Sequence, residues 1–473
     1  MTNRLDEEIR STLGSMIAEA PEPMELDELA MQAAIATVPR QRRSPVPAIA
    51  AAFAAMVAVV GAIALLAPSS GESAGPVTTT PATPDVGAWS RIPHDEAVFG
   101  AVSGQAVMNG VTAGGPGLVA VGATGPEAAV WTSVDGLAWS RVPHNEAVLG
   151  GDSDPICGGA AMMSVAAGGP GLVAVGFDRS LYTGNSDAAV WTSADGITWS
   201  RVAHDETTFG GESDSACYGP SMSSVTAGGP GLVAVGWDGQ SAAVWTSPDG
   251  IAWSRVPHDE SIFGGAVGAA TMNGVTLGGP GLVAVGSDGL DAAVWTSVDG
   301  ITWSRVPHDE AMFGYVGVYA YDDDRTQTRA MSSVTGGGPG LVAVGSVGGD
   351  DWLGGLMAVW TSVDGITWSR VPHDERVFGS LASYEINDVT ATDSGLVAVG
   401  SRNGDTHGSA VVWTSPDGIT WSQHPHAETA FGGPGDQTIM SVTSTGSGLV
   451  AVGSDTGGSV GTDAAVWAGP QND

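Results

Sequence analysis

Beyond residue 86 the chain alternates short apolar runs with glycine, proline and Ser-Asp punctuation, and the runs return in a fixed order. LVAVG is followed by AVW (VVW in one copy) seven times, ending at Trp131, Trp191, Trp245, Trp295, Trp360, Trp413 and Trp467. Successive tryptophans stand 60, 54, 50, 65, 53 and 54 residues apart. A repeat of that size, made of short apolar runs between turns, predicts a propeller or an array. The copy at 271–306 divides into four strands: TMNGVTL (271–277), GLVAVG (281–286), DAAVWT (291–296) and ITWSRV (301–306), here a to d. Strands b and c are almost wholly apolar, as a strand must be when both faces of its sheet are covered. The expected fold is all-β, a seven-bladed β-propeller of four-stranded antiparallel blades.

The punctuation refines the expectation. In the a–b turn GGPG, Pro280 suits the second turn position and Gly281 a positive φ. Ser-x-Asp-Gly between c and d reads as a type I turn followed by a left-handed glycine. That register sets Trp295 opposite Trp303; a two-residue Asp-Gly turn would put the rings on opposite faces. The strand count closes a ring. The AVW copy ending at Trp467 has no strand d after it, whereas GAWSRIPHDE (87–96) is a strand d with nothing before it. Pairing Trp89 with Trp467 completes the last blade and leaves no open sheet edge.

S-x-D-G-x-T-W resembles the Asp-box, or BNR repeat, of sialidases and related propellers, S-x-D-x-G-x-T-W, with one residue fewer between Asp and Gly in every copy. The resemblance covers residues 86–468 and assigns a framework role to Asp135, Asp195, Asp249, Asp299, Asp364 and Asp417. In that family the boxes lie away from the catalytic face.

Composition adds a leader and a charge. Residues 45–67, PVPAIAAAFAAMVAVVGAIALLA, carry no charge and are long enough for a membrane-spanning helix. Arg40, Arg42 and Arg43 precede the run and the next basic residue is Arg91, which places residues 1–44 in the cytoplasm and the propeller outside. A cleavable signal peptide is the rival reading. Residues 1–44 read as partly helical or disordered, 68–86 as a Pro/Ser/Thr-rich linker, 87–468 as the propeller and 469–473 as a tail. The arrangement is similar to that of membrane-bound anti-sigma factors, which implies a sensor with a cytoplasmic partner of residues 1–43. Net charge is −35 with no lysine, which excludes nucleic-acid partners and favours solubility or cation binding.

Candidate chemistry then falls into two classes. His94, His144, His204, His258, His308, His373 and His426 each follow strand d and precede a glutamate by two residues. Repetition around a ring reads as a turn or cap; His-x-Glu can ligate zinc, but a donor pair is not a complete site. Where the copies differ, recognition is expected. The insertions 176–187 and 345–357 (b–c) and 314–330 (d–a) belong to one face of the ring. They hold Tyr182, Tyr315, Tyr319, Tyr321 and Trp352, suited to a glycan, peptide or protein ligand. Asp322, Asp323, Asp324, Asp350 and Asp351 offer oxygen donors for Ca2+. Cys157 and Cys217 occupy equivalent d–a loops, bridged only if their Cα atoms approach within about 7 Å, otherwise free thiols. The sialidase resemblance implies an arginine cluster and a tyrosine–glutamate pair, for which Arg325, Arg329, Arg376, Arg402, Tyr384 and Glu385 are the residues available. Arg179 is a further loop-face arginine. Inward positions of strand a (Asn109, Ser164, Ser224, Asn273, Ser333, Asn387 and Ser441) offer no acid/base pair. A membrane-anchored extracytoplasmic binding module is therefore expected, with a sialidase-like glycoside hydrolase as the alternative.

Overall fold

The computed structural model describes residues 89–101, 104–151, 159–179, 186–211, 219–265, 269–289, 291–314, 330–347, 356–380, 384–403, 407–446, 448–457 and 461–470. Seven four-stranded antiparallel sheets follow one another in strand order a–b–c–d. In the fourth blade these are Ala270–Gly278, Gly281–Asp288, Asp291–Ser297 and Trp303–Arg305. Each strand a contacts that of the next blade, and the seventh contacts the first, so the sheets form a closed ring. The seventh blade holds Gln437–Thr445, Gly448–Asp455 and Asp463–Ala468, and its fourth strand is Ser90–Arg91 from the other end of the chain.

Apolar b and c strands build the core between blades. Leu282, Val283, Ala284 and Val285 are all essentially inaccessible, one pair of side chains on each face of the sheet. Val233, Val235 and Val244 of blade 3 pack on Met272, Leu282, Ala284 and Trp295 of blade 4. The same contact closes the ring, where Val450, Val452 and Val466 of blade 7 pack on Met108, Leu118 and Trp131 of blade 1. Removing that apolar surface from water, at roughly 25 cal/mol per Å², drives the stacking of sheets that are individually thin.

Three register expectations are corrected. Trp295 pairs with Arg305, and Ser297 with Trp303, so the c–d loop spans five residues rather than three. The reason is local: Asp299 Oδ1 accepts from the N–H groups of Ile301 and Thr302, and Trp303 Nε1 donates to the Gly300 carbonyl. Those bonds hold an extended loop, in which Gly300 is left-handed (φ 79°) as expected. At the seam, Arg91 rather than Trp89 faces Trp467. In the a–b turn Gly281 takes the expected positive φ (159°), but Gly279 (φ 55°) is the left-handed residue and Pro280 follows it as the third turn position. Gly first and Pro second between paired Gly278 and Gly281 is a two-residue hairpin of type II′ character. No helix among the described residues is long and apolar enough to cross a membrane, and residues 45–67 lie outside them.

Candidate functional site

Four-residue helices, invisible to a periodicity argument, sit in all seven d–a connections. Glu96–Phe99 is the first. Asp95 caps it, accepting from Ala97 N at 3.0 Å, and the Gly100 N–H closes it on the Glu96 carbonyl. Asn145, Asp205, Asp259, Asp309 and Asp374 cap five others, and Ala427 stands at the last without a side-chain cap bond. The aspartate or asparagine of the His-Asp/Asn-Glu motif is therefore a helix cap.

Each helix is clamped by the blade it leads into. The buried indole of strand c donates to a carbonyl at the helix end: Trp131 to Val98, Trp191 to Val148, Trp245 to Thr208, Trp295 to Ile262, Trp360 to Met312, Trp413 to Val377 and Trp467 to Ala430. Arginines of strand d also reach the helix: Arg305 donates to the Gly264 carbonyl at 3.1 Å, and Arg141 to that of Gly100 at 2.9 Å. Arg305 also lies over the Trp295 ring and pairs with Asp288 at the end of strand b. Arg91 with Asp455 and Arg201 with Asp178 repeat the pairing.

The b–c and d–a connections share one end of the ring. Gly125 N donates to the Gln105 carbonyl and Ala160 N to that of Pro126, joining the two loop types directly. On this end the histidines find carboxylates. His94, His144, His204, His258, His308 and His426 lie 3.0–3.2 Å from the glutamate two residues on. In four blades an acid near the start of strand c completes a group of three: His94–Glu96–Asp463, Glu127–His144–Glu146, Asp187–His204–Glu206 and Asp291–His308–Glu310. Burial pushes the Asp187 carboxyl above its usual range, and nearby His204 offsets part of the rise. Blade 5 has Leu356 at the corresponding position, and there His373 turns to the Gly379 and Met357 carbonyls.

At the seam this end opens into a cavity of about 450 Å³ lined by Arg91, His94, Glu96, Thr429, Asp455 and Asp463, with others. Asp463 begins strand c of the last blade, whereas His94 and Glu96 lie at the beginning of the propeller. Its Oδ1 accepts from Ala101 N at 3.2 Å, while Oδ2, buried, has no hydrogen-bond partner.

The inner wall is tied from blade to blade. Every strand a carries a bulge before its central valine, and the residues there bond across to the next blade. Asn109 Nδ2 donates to the Met162 carbonyl, Asn273 to Met331 and Asn387 to Ile439. Ser164 and Ser224 Oγ accept from Val225 N and Val275 N. Asp388, overlooked in the sequence because the bulge shifts the pleat, accepts from Ser333 Oγ at 2.7 Å and Ser441 Oγ at 3.0 Å, joining blades 5, 6 and 7. Burial raises its pKa, against the lowering effect of those bonds.

Of the sialidase-like candidates, Tyr384 packs edge-on against Trp413, its hydroxyl 3.5 Å from Gln423 Nε2. Glu385 is exposed, and as its neighbour along one strand it projects to the other face. Tyr384 and Arg402 pair across strands a and b, while Arg376 is exposed on the blade 5–6 helix. Arg179 ends strand b of blade 2, over the Phe177 ring. Arg325, Arg329, Tyr182, Tyr315, Tyr319, Tyr321, Trp352, Asp322, Asp323, Asp324, Asp350, Asp351, Cys157 and Cys217 lie outside the described residues.

No protein-family model and no curated protein matches this chain. Solved structures similar to it include the periplasmic gluconolactonase PpgL of Pseudomonas aeruginosa, at 11% identity and TM-score 0.44, covering 68% of this chain and 84% of that one. A polysaccharide lyase of family PL25, an ulvan lyase, is similar at 13% identity and TM-score 0.42, over 81% and 95% of the two chains. Trypanosoma rangeli sialidase in complex with the inhibitor DANA is similar at 12% identity and TM-score 0.35, over 63% and 52%.

Proposed function

We propose that the propeller is a binding module that recognises a glycan, peptide or protein ligand through the end bearing the b–c and d–a connections. The observation that carries this reading is the distribution of length variation. The c–d turns all keep Ser-x-Asp-Gly and the a–b turns barely change in length, while the connections at the other end range from a few residues at Ser287–Asp291 to insertions at 176–187, 314–330 and 345–357. A rigid scaffold with variable loops at one end is how recognition surfaces are usually built. Residues 45–67 anchor the chain by one membrane-spanning helix, with the propeller outside and residues 1–43 free to meet a cytoplasmic partner. Calcium would be held by the Asp322–Asp324 and Asp350–Asp351 runs in two of these insertions.

A glycan array probed with the full chain tests the reading. Saturable binding without product release is expected, lost when 345–357 is shortened to the length of 286–292. Protection from hydrogen exchange should fall on the same end of the ring. Protection at the c–d turns, where Leu137, Ile197, Ile251, Ile301, Ile366 and Ile419 stand exposed, would move recognition to the opposite end. Turnover of a fluorogenic sialoside, abolished by Arg376→Ala, would replace the binding reading with a hydrolase.

A further inference from the structure

We infer that His94, Glu96 and Asp463 form a site for a first-row divalent cation of the zinc class at the seam of the ring. This goes beyond ligand recognition by the loops and does not depend on it. The three donor atoms lie within 4.8 Å of one another, one imidazole nitrogen and two carboxylate oxygens. His94 Nε2 is 3.2 Å from Glu96 Oε2 and 3.7 Å from Asp463 Oδ2. Ligands at 2.0–2.1 Å around a tetrahedral ion stand about 3.3 Å apart, close to the 3.2 Å and 3.7 Å that separate His94 Nε2 from the two carboxylate oxygens. Calcium would ask for six or more oxygens at longer range, which this trio does not supply. Two carboxylates and a neutral imidazole carry a charge that a divalent ion cancels. All three residues line the seam cavity.

Asp463 is the independent observation. Its side chain is only 4% exposed, and Oδ2 has no hydrogen-bond partner although it points toward His94. A buried anionic oxygen with no hydrogen bond and only a 3.7 Å approach to His94 is costly, and a coordinated cation removes the cost. The related groups in blades 1, 2 and 4 differ on this point. Glu127, Asp187 and Asp291 are 27%, 19% and 28% exposed, so water reaches their carboxylates. Blades 3 and 6 keep the His-x-Glu pair but have Ser241 and Ser409 in place of the acid, and so serve as internal controls. Because the ligands come from opposite ends of the chain, the ion would also cross-link the closure.

Zinc chloride alone, titrated into the full chain against a chromophoric chelator, provides the test. Wild type should retain one ion tightly and melt at a higher temperature with zinc than without. Asp463→Asn and His94→Gln should each weaken retention by more than about tenfold, given that loss of even an outer-shell partner costs 10–100-fold. His258→Ala, which alters a pair lacking the third donor, should retain zinc as wild type does. Calcium and magnesium should not displace the ion. Absence of a retained ion in the wild type would overturn the proposal, as would undiminished retention in both Asp463→Asn and His94→Gln. A higher metal-free melting temperature of Asp463→Asn, with no zinc effect in wild type, would mark the orphan oxygen as strain alone.

Discussion

The seven strand-c tryptophans act as both core and clamp. Trp295 has no exposed surface and spends its only donor on the Ile262 carbonyl at 2.7 Å. Trp295→Phe keeps most of the packing and abandons that carbonyl; the denaturant midpoint should fall by the equivalent of about 1–3 kcal/mol. At the same scale, six exposed aspartates tie the stability of their turns to the ionised carboxylate. Asp135, Asp195, Asp249, Asp299, Asp364 and Asp417 are held below their ordinary value of 3.8, chiefly by backbone N–H groups two and three residues on, Asp195 to about 2. A carboxyl whose folded pKa is depressed contributes stability that is complete above the unfolded value and is lost as pH falls through the folded one. The melting temperature should therefore drop between about pH 4 and pH 2. Asp195→Asn, which cannot ionise, should show a shallower drop in the same titration. Asp388 acts with opposite sign: its raised pKa removes stability as pH climbs from the unfolded value through the folded one.

Elements joining the strands carry the geometry that the strands cannot. The left-handed Gly279 is one case: a Cβ there would lie 2.7 Å from the Asp364 carbonyl oxygen of the next blade's c–d turn. Gly279→Ala should lower stability by about 1–3 kcal/mol in equilibrium unfolding, combining an unfavourable φ with that clash. This contact between successive blades also explains why turn length barely varies at that end. The strands themselves were legible because LVAVG and AVW must be apolar on both faces, and repetition made the count of blades and the unpaired ends plain. Register was not, because it rests on Asp299 bonding two N–H groups, and Ser-x-Asp-Gly fits a shorter loop equally well. The one-turn helices carry no periodicity; their only written signal is Asp, Glu and Gly at fixed places in HDExxFG. The second carboxylate of the seam site was hidden for another reason. Asp463 is far from His94 in the chain, and only the sharing of one blade brings them together.

At the scale of the whole molecule, the seam joins the first strand of the propeller to its last blade. Ser90 and Arg91 pair with Ala468 and Trp467, Ile92 N donates to the Val466 carbonyl, and Trp89 packs with Phe431. Deleting residues 86–93 should lower the melting temperature markedly, since it exposes the edge of strand c in blade 7 and removes a buried indole. An unchanged melting temperature would separate closure from stability. The strand that completes the ring is the first part of the propeller to be synthesised, and its partner is nearly the last. During translation the leading strand must therefore wait, unpaired, for almost the entire domain to follow it. A ribosome that stalls early leaves blades with a bare flank, an unpaired strand edge that makes the unfinished chain prone to aggregate.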